Sequence, residues 1–495
     1  MLTMYTILMP KHVTAHLILS NQLLRNHPAF STASTGDLFI MIEADDDSSR
    51  LPYHKHKLIL MFAAMRSYAD YLTSRDLNVQ YVKIRRGSIF LAELSDIITT
   101  NGVTQLSWMM SSDKQPNDML HKLADKNNLS KIIFENIQFL TSAADFASWY
   151  EGRKAPVMES FYRWQRQRLQ LLMDGDQPTG GQWNHDHDNR QPLPKQDITI
   201  PSITFPAMGA NVGSAQQDVQ RLFPDNPGEV GTFWLATDFE TADEWLEKFI
   251  AERFENFGTY EDAMRAGQPF LFHSVLSPLI NIGLLNPWQV VDRVIVAYQK
   301  GKAPLNSVEG FVRQIIGWRE YVYGVYHHGK LESTMNYFGF TKQLEDWWYT
   351  GDIANVTLPV PVQAALKTAL QYGYNHHIER LMILGNWFLL NEYDPVSVLK
   401  WFSSMYVDAY EWVMLPNVTG MSQYADGGTF ATKPYISGAN YLQNMGSWWT
   451  SMPAAKASGW NQLYWNFLYN QHDKLKNNRR MSIALKQAQI YGNKN

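Results

Sequence analysis

The 495-residue chain contains no cysteine. That absence excludes disulfides, thiolate zinc sites, cysteine nucleophiles and cysteine-ligated iron–sulfur clusters. Charge is also sparse, at 18% of residues, which suits large packed interiors better than a solvated rod. There is no cationic surplus: 43 Lys and Arg stand against 47 Asp and Glu, a net charge of −4. Proteins that grip nucleic-acid backbones over a broad surface carry such a surplus. Any nucleic-acid site here is therefore a local patch. No apolar run approaches the roughly 18 residues of a membrane span. The N-terminal stretch, interrupted by Lys11, His12 and His16, lacks the apolar segment and small-residue cleavage site of a secretory leader. A cytoplasmic location is expected.

Hydrophobic residues nevertheless reach 45%, too many for a disordered chain, and the length calls for two or three domains. Aromatics are in excess: there are 17 Trp and 25 Tyr, and 11 of the Trp lie beyond residue 270. Most single Trp residues in such a set serve as core. A dense aromatic network also suits long-range electron transfer. Over residues 1–140, short apolar runs at 17–20, 38–43, 79–84, 105–109 and 131–135 alternate with amphipathic stretches at 57–74 and 112–126. This is an α/β pattern, a parallel sheet with flanking helices that binds ligands beyond the carboxyl ends of its strands. Residues 141–231 read as a helical segment and then, from 176, a long Gly- and Pro-rich surface connector. Within it His185, Asp186, His187 and Asp188 form either a metal site or a hydrogen-bonded turn. Over residues 232–495 the apolar spacing turns to three and four, notably at 314–327, 362–372, 378–391 and 395–405. That predicts a large all-helical domain.

Several runs carry chemistry. His273-Ser274-Val275-Leu276-Ser277-Pro278 opens a helix. Hydroxyls and free N–H groups there suit an anion, and simple capping by Ser277 ahead of Pro278 explains the same residues. Glu309 and Arg313 share one helix face, as do Trp318 and Tyr321. His376 and Arg380 are spaced to project together, with His377 turned about 100° away. A lone helical histidine is usually core, whereas tandem histidines beside a pocket supply an acid and a hydrogen-bond donor near neutral pH.

These runs, with 374–382, Asp408-Ala409-Tyr410-Glu411-Trp412, Pro416-Asn417-Val418-Thr419-Gly420-Met421 and Tyr424-Ala425-Asp426-Gly427-Gly428, resemble the photolyase/cryptochrome superfamily. Within it the chain is similar to the prokaryotic (6-4) photolyases and their iron–sulfur bacterial cryptochrome kin, over nearly its whole length. The resemblance implies an all-α C-terminal domain that binds FAD and a monomer whose partner is UV-damaged DNA. It implies that His273, Ser274, Leu276, Ser277, Glu309, Arg313, Trp318, Asp408, Tyr410, Met414 and Asn417 line the flavin site. His376 and His377 would face the lesion as the catalytic pair, one protonating it. Trp401, with Trp348 or Tyr349 as outer partner and Tyr410 beside it, would carry electrons. Asn21, Gln22 and Glu43 fall in the antenna region, where 6,7-dimethyl-8-ribityllumazine can bind; helix-start capping is the other reading.

The chain also departs from the group. The positions of the relatives' cluster cysteines fall on Pro361, Trp449, Met452 and, near the last, Ser458, none of which ligates a cubane cluster. The expected metal content is none, with Trp448, Trp449 and Trp460 filling the space by packing. Six residues after Asp408, where the superfamily sets a polar group facing flavin N5, stands Met414, a weak acceptor without a proton to give. Two functions follow: light-driven repair of (6-4) pyrimidine photoproducts, favoured by His376-His377, or blue-light sensing with little repair, favoured by Met414. A light-independent nucleic-acid scaffold is a third.

Overall fold

The structure, a computed structural model, describes residues 13–153, 156–196, 198–446 and 448–492. Residues 1–12 of the leader reading and Ser447 of the cluster region lie outside them. Five strands form one parallel sheet: β1 (Thr14–Leu17), β2 (Leu38–Ile42), β3 (Val79–Val82), β4 (Gln105–Met109) and β5 (Ser130–Phe134), in the order β3-β2-β1-β4-β5. β2 shows why it is a run and not an alternation. Leu38, Ile40 and Ile42 pack with Ala15, Leu17 and Trp108 beneath helices Phe90–Thr100 and Lys114–Lys126. Phe39 and Met41 face the other way, against helix Lys55–Thr73. Parallel strands covered on both faces are apolar throughout.

The first strand lies earlier than its sequence pattern suggested, at Thr14–Leu17 and not 17–20. Two polar residues disguised it: Thr14 bonds Gln105, and buried His16 places Nδ1 2.9 Å from Ser107 Oγ. Residues 18–21 instead form the turn at the carboxyl end of β1. The strand order reverses between β1 and β4, and the chain leaving these two strands frames a cavity of about 410 Å³. This is where open α/β sheets bind ligands.

The connector also holds more structure than its composition implied. Helix Ala210–Leu222 buries Val212, Ala215, Val219 and Leu222 and packs on Lys55–Thr73. That spacing of three to four was present in the sequence but was masked by the surrounding Gly and Pro. Arg66 clamps the two helices: it donates to Ser214 Oγ (2.9 Å) and Asp218 Oδ2 (2.8 Å). The same guanidinium grips both oxygens of buried Glu43 at 2.8 Å, which also accept from Tyr81 Oη and Ile84 N. Glu43 is thus a structural anion, and it also lines the 410 Å³ cavity.

Beyond residue 232 the described chain is helical. The helices Phe239–Glu252, Pro287–Gln299, Leu305–Val312, Glu320–His328, Val360–Tyr372 and Pro395–Met405 surround the residues of interest. Three stretches are wound as π-helix: Arg313–Arg319, Glu379–Gly385 and Pro416–Ser422. Such turns widen a helix and frequently mark functional sites. No helix among the described residues is long and apolar enough to cross a membrane.

At the positions where the resemblance set cluster cysteines, Pro361, Trp449 and Ser458 have packing or capping tasks, as does nearby Trp460. Pro361 sits in the first turn of Val360–Tyr372, where its missing N–H costs nothing. Trp460 is fully buried, donates Nε1 to Ser437 O (3.0 Å) and lies 5.5 Å from the Trp387 ring. Trp449 exchanges two backbone hydrogen bonds with the Gln443 amide, both 2.9 Å. Ser458 caps helix Met452–Ala457. We expect Glu43→Ala, which strips Arg66 of its buried partner, to lower unfolding free energy by about 3–5 kcal/mol. Urea denaturation measures this, and an unchanged midpoint contradicts the assignment.

Candidate functional site

Asp408 is the most elaborately bonded carboxylate of the helical region. Arg380 donates Nη1 to its Oδ1 (2.9 Å) and Nη2 to Oδ2 (3.1 Å), and Ser277 Oγ donates to Oδ2 at 2.6 Å. Asn281, one turn after Ser277, donates to the Asp408 backbone oxygen (3.0 Å). Burial alone would raise this carboxyl, but the Arg380 charge and the two donors overcome it and hold it below its usual range. Ser277 therefore does not cap its helix; Leu276 is the cap residue and provides no side-chain bond. Just upstream, Leu271 and Val275 both take positive φ, 42° and 56°. A β-branched residue there is strained, and such strain collects at binding sites.

The strained segment delivers His273 against His376. Their rings stack at 4.5 Å with 14° between planes, and His377 lies edge-on 5.5 Å from His273. His273 and His376 are buried, whereas His377 is exposed. Burial first, and then the neighbouring cations, push His273 and His376 well below the ordinary imidazole value, so both rings are neutral at physiological pH. His377 Nε2 lies 3.2 Å from Asp262 Oδ1. Arg380 N donates to His376 O (3.1 Å), yet its guanidinium turns to Asp408 while His376 turns to His273. The two side chains do not act on one group. The three imidazoles each bring a ring nitrogen within 4.8 Å of the others. Glu379 lies beneath them, 3.8 Å from His376 Nε2, and accepts from Asn375 Nδ2 at 2.7 Å. Burial raises it to about 7.

Glu309 and Arg313 form a second group. Their side chains are 3.7 Å apart, Arg313 Nη1 is 2.6 Å from Asp186 Oδ1, and Glu309 Oε2 accepts from His185 N at 3.1 Å. The His185–Asp188 run is thus a turn stitched onto this ion pair. Arg190, 3.2 Å from Asp186 and 3.8 Å from Asp262, joins the group to His377. Asp262 and Glu379 went unrecognised in the sequence. Asp262 is remote from His377 in the chain, and Glu379 looked like an ordinary helix-start acid.

The other site residues divide between walls. Met414 is buried in the helical core, and Asn417 donates its amide to Val413 O (2.8 Å). Trp318 stands in the first π-helical stretch, its ring edge-on to Tyr321. Trp401 donates Nε1 to Trp348 O (2.9 Å), their rings are 5.9 Å apart, and Trp347 stacks on Trp348 at 4.3 Å. Trp348, rather than Tyr349, is therefore the ring next to Trp401, and Trp347 extends the line. Tyr410 departs from expectation: it lines the 410 Å³ cavity beside Lys57, because its extended backbone turns it toward the α/β domain. The rings around Trp401 are Trp348, Phe388, Phe402 and Tyr406. Asn21 lines the same cavity and bonds Ser112, whereas Gln22 ties down the carbonyls of Met109 and Met110.

Glu379 makes stability depend on pH with a defined sign. Its folded pKa lies above its unfolded one, so the folded state alone holds the proton between about 4.5 and 7. That contribution falls as pH rises through the window. Glu379→Gln should gain stability over the parent chain across it and hold a constant advantage above. Paired urea titrations at several pH values check this, and a pH-independent difference refutes it.

Comparison with known proteins places this geometry. Residues 16–235 match the family described as deoxyribodipyrimidine photo-lyase-related protein. The chain is 37% identical over 458 residues to a (6-4) photolyase of Agrobacterium fabrum, covering 90% of this chain and 89% of that protein. In fold it matches a class III photolyase from Agrobacterium tumefaciens, with TM-score 0.58 and 15% identity over 98% of this chain and 93% of that one. A Synechocystis cryptochrome matches with TM-score 0.58 and 12% identity over 91% and 88%. With the parallel sheet, the helical remainder and the Asp408 and histidine constellations, the chain belongs to the photolyase-related protein family.

Proposed function

We propose that this chain is a light-dependent DNA photolyase that binds FAD and repairs (6-4) pyrimidine photoproducts without an iron–sulfur cluster. The observation that carries the reading is the His273–His376–His377 cluster, standing in a chain 37% identical over 458 residues to a (6-4) photolyase. Photolyases and cryptochromes bind FAD, and the residues here fit such a ligand. His273 Nε2, both ring nitrogens of His376, Glu309 Oε1, and Nε and Nη2 of Arg313 are buried without a hydrogen-bond partner. Buried polar atoms are rarely left so, and a polar, many-armed ligand answers all of them. Bound FAD, once reduced and photoexcited, supplies the electron.

The protein's own groups divide the remaining work. Asp408 and Arg380 fix the polar floor. Neutral His376 and His273 offer hydrogen bonds in a dry wall, and exposed His377, oriented by Asp262, is the imidazole placed to pass a proton to a flipped lesion. Trp401, Trp348 and Trp347 form the route by which electrons reach the pocket. The 410 Å³ cavity, lined by Asp47, Arg50, Tyr53, Lys57 and Tyr410, suits a hydroxylated heterocycle such as the ribityllumazine antenna. The bulky residues at the cluster positions support packing in place of iron. A blue-light sensor is the second reading, and Met414 supports it, since a buried thioether offers no proton at its position.

Illumination of the purified protein with a (6-4)-containing oligonucleotide should restore the bases, and failure there while flavin is bound moves the assignment to the sensor. His377→Ala should cut repair on the order of a hundredfold or more with FAD content unchanged. Undiminished repair removes its role. Trp401→Phe should slow light-driven flavin reduction at least tenfold on the order of aromatic-hop losses while repair by chemically reduced protein persists. Equal photoreduction rates count against the route.

A further inference from the structure

Four arginines among the described residues are buried. Three of them have protein partners, Arg313 at hydrogen-bond distance through Nη1 alone, with its Nε and Nη2 left without a hydrogen-bond partner. Arg66 holds Glu43 and Asp218, Arg166 donates to the carbonyls of Leu171, Leu172 and Trp183, and Arg313 pairs with Asp186. Arg253 is the exception. It is 1% exposed, no hydrogen bond or ion pair reaches its guanidinium among the described residues, and its Nε is an orphaned buried donor. The acid that acts on it electrostatically is Glu252, which is exposed. A buried guanidinium without an anion is among the most unfavourable arrangements a fold can hold.

Its place in the fold says what it faces. Arg253 ends the helix Phe239–Glu252, and Trp245, Phe249 and Arg253 recur at four-residue spacing on one face. Trp245 donates its indole N–H to Ser274 O at 2.9 Å, which lays this face along the strained segment 271–275. The guanidinium lies 5.8 Å from the Phe249 ring centroid and within electrostatic reach of His273 and Tyr374. It therefore lies beside the segment that carries His273 and Ser274. Burial lowers Arg253 to about 10, so it stays charged.

Resting on the reading that the chain binds FAD, we infer that Arg253 is a ligand of the pyrophosphate, an anion-binding residue supplied from outside the serine-containing motif. The anion must enter with a molecule that fills the pocket, because a duplex backbone cannot reach a side chain this deep. Riboflavin, which lacks phosphate, separates the two parts of the idea.

The experiment measures FAD and riboflavin affinities of the flavin-stripped chain and of Arg253→Met by flavin fluorescence, with thermal unfolding of each protein with and without FAD. Arg253→Met should weaken FAD on the order of ten- to a hundredfold, the worth of hydrogen bonds to a charged group, with riboflavin affinity unchanged. Its melting temperature without flavin should equal or exceed that of the parent chain, and its gain on adding FAD should shrink. FAD and riboflavin affinities that both match the parent, or both fall together, overturn the assignment. Should Arg253→Met not fold, Arg253→Lys serves: a weakened FAD-to-riboflavin preference supports the role and an intact one overturns it. A parent chain that binds neither flavin ends the FAD reading itself, and this inference with it.

Discussion

A guanidinium and a carboxylate taken out of water together are unfavourable unless every remaining donor and acceptor is met. Arg380 and Asp408 meet that condition. Both Asp408 oxygens are occupied by Arg380 and one also by Ser277, Arg380 Nε reaches Asn375 O at 2.7 Å, and the Arg380 charge sits 3.9 Å above the Tyr406 ring. The partners come from three separate stretches: the strained segment leading to Ser277, the histidine turn and the turn after Pro395–Met405. Their mutual satisfaction fixes where His273 meets His376. Without this pair the stacked imidazoles have no reason to face one another.

Around that pair the site is divided electrostatically. His273 and His376 are dry and neutral, while Glu379 beneath them is raised by the same burial. On the rim, Asp262, Arg190 and Asp186 alternate in sign and connect His377 to Arg313. One histidine is thus wired to solvent-facing charge while two are insulated from it. This arrangement separates one exposed imidazole, paired with Asp262, from two buried ones. Arg253, buried with its Nε unpartnered, is the cation inferred to meet a bound anion.

Much of this was legible in the sequence, and the failures have physical causes. The parallel sheet was visible because strands covered on both faces are apolar runs, yet β1 was misplaced because buried His16 and Thr14 look polar until their partners are known. The helix Pro395–Met405 fell where spacing put it, since Asp394 caps it and Pro395 opens it. The π-helical stretches were invisible, because a periodicity of three and four carries no mark of one inserted residue. Glu309, Arg313, Ser277, Asp408, His376 and His377 were named from motifs, but their partners Asp186, Asn281 and Asp262 depend on contacts between distant segments, and Glu379, one turn from His376, looked like an ordinary helix-start acid. Glu43 lines the cavity where the antenna was expected, but its grip by Arg66 was not visible, since nothing local ties those two residues together.

The central claim is that these constellations form the binding site of a flavin that responds to light. Its most direct test is the absorption spectrum of the purified protein, recorded before and during blue illumination under reducing conditions. Flavin bands near one equivalent per chain that bleach under light are the predicted result. A protein that stays colourless after purification and after incubation with FAD would contradict it.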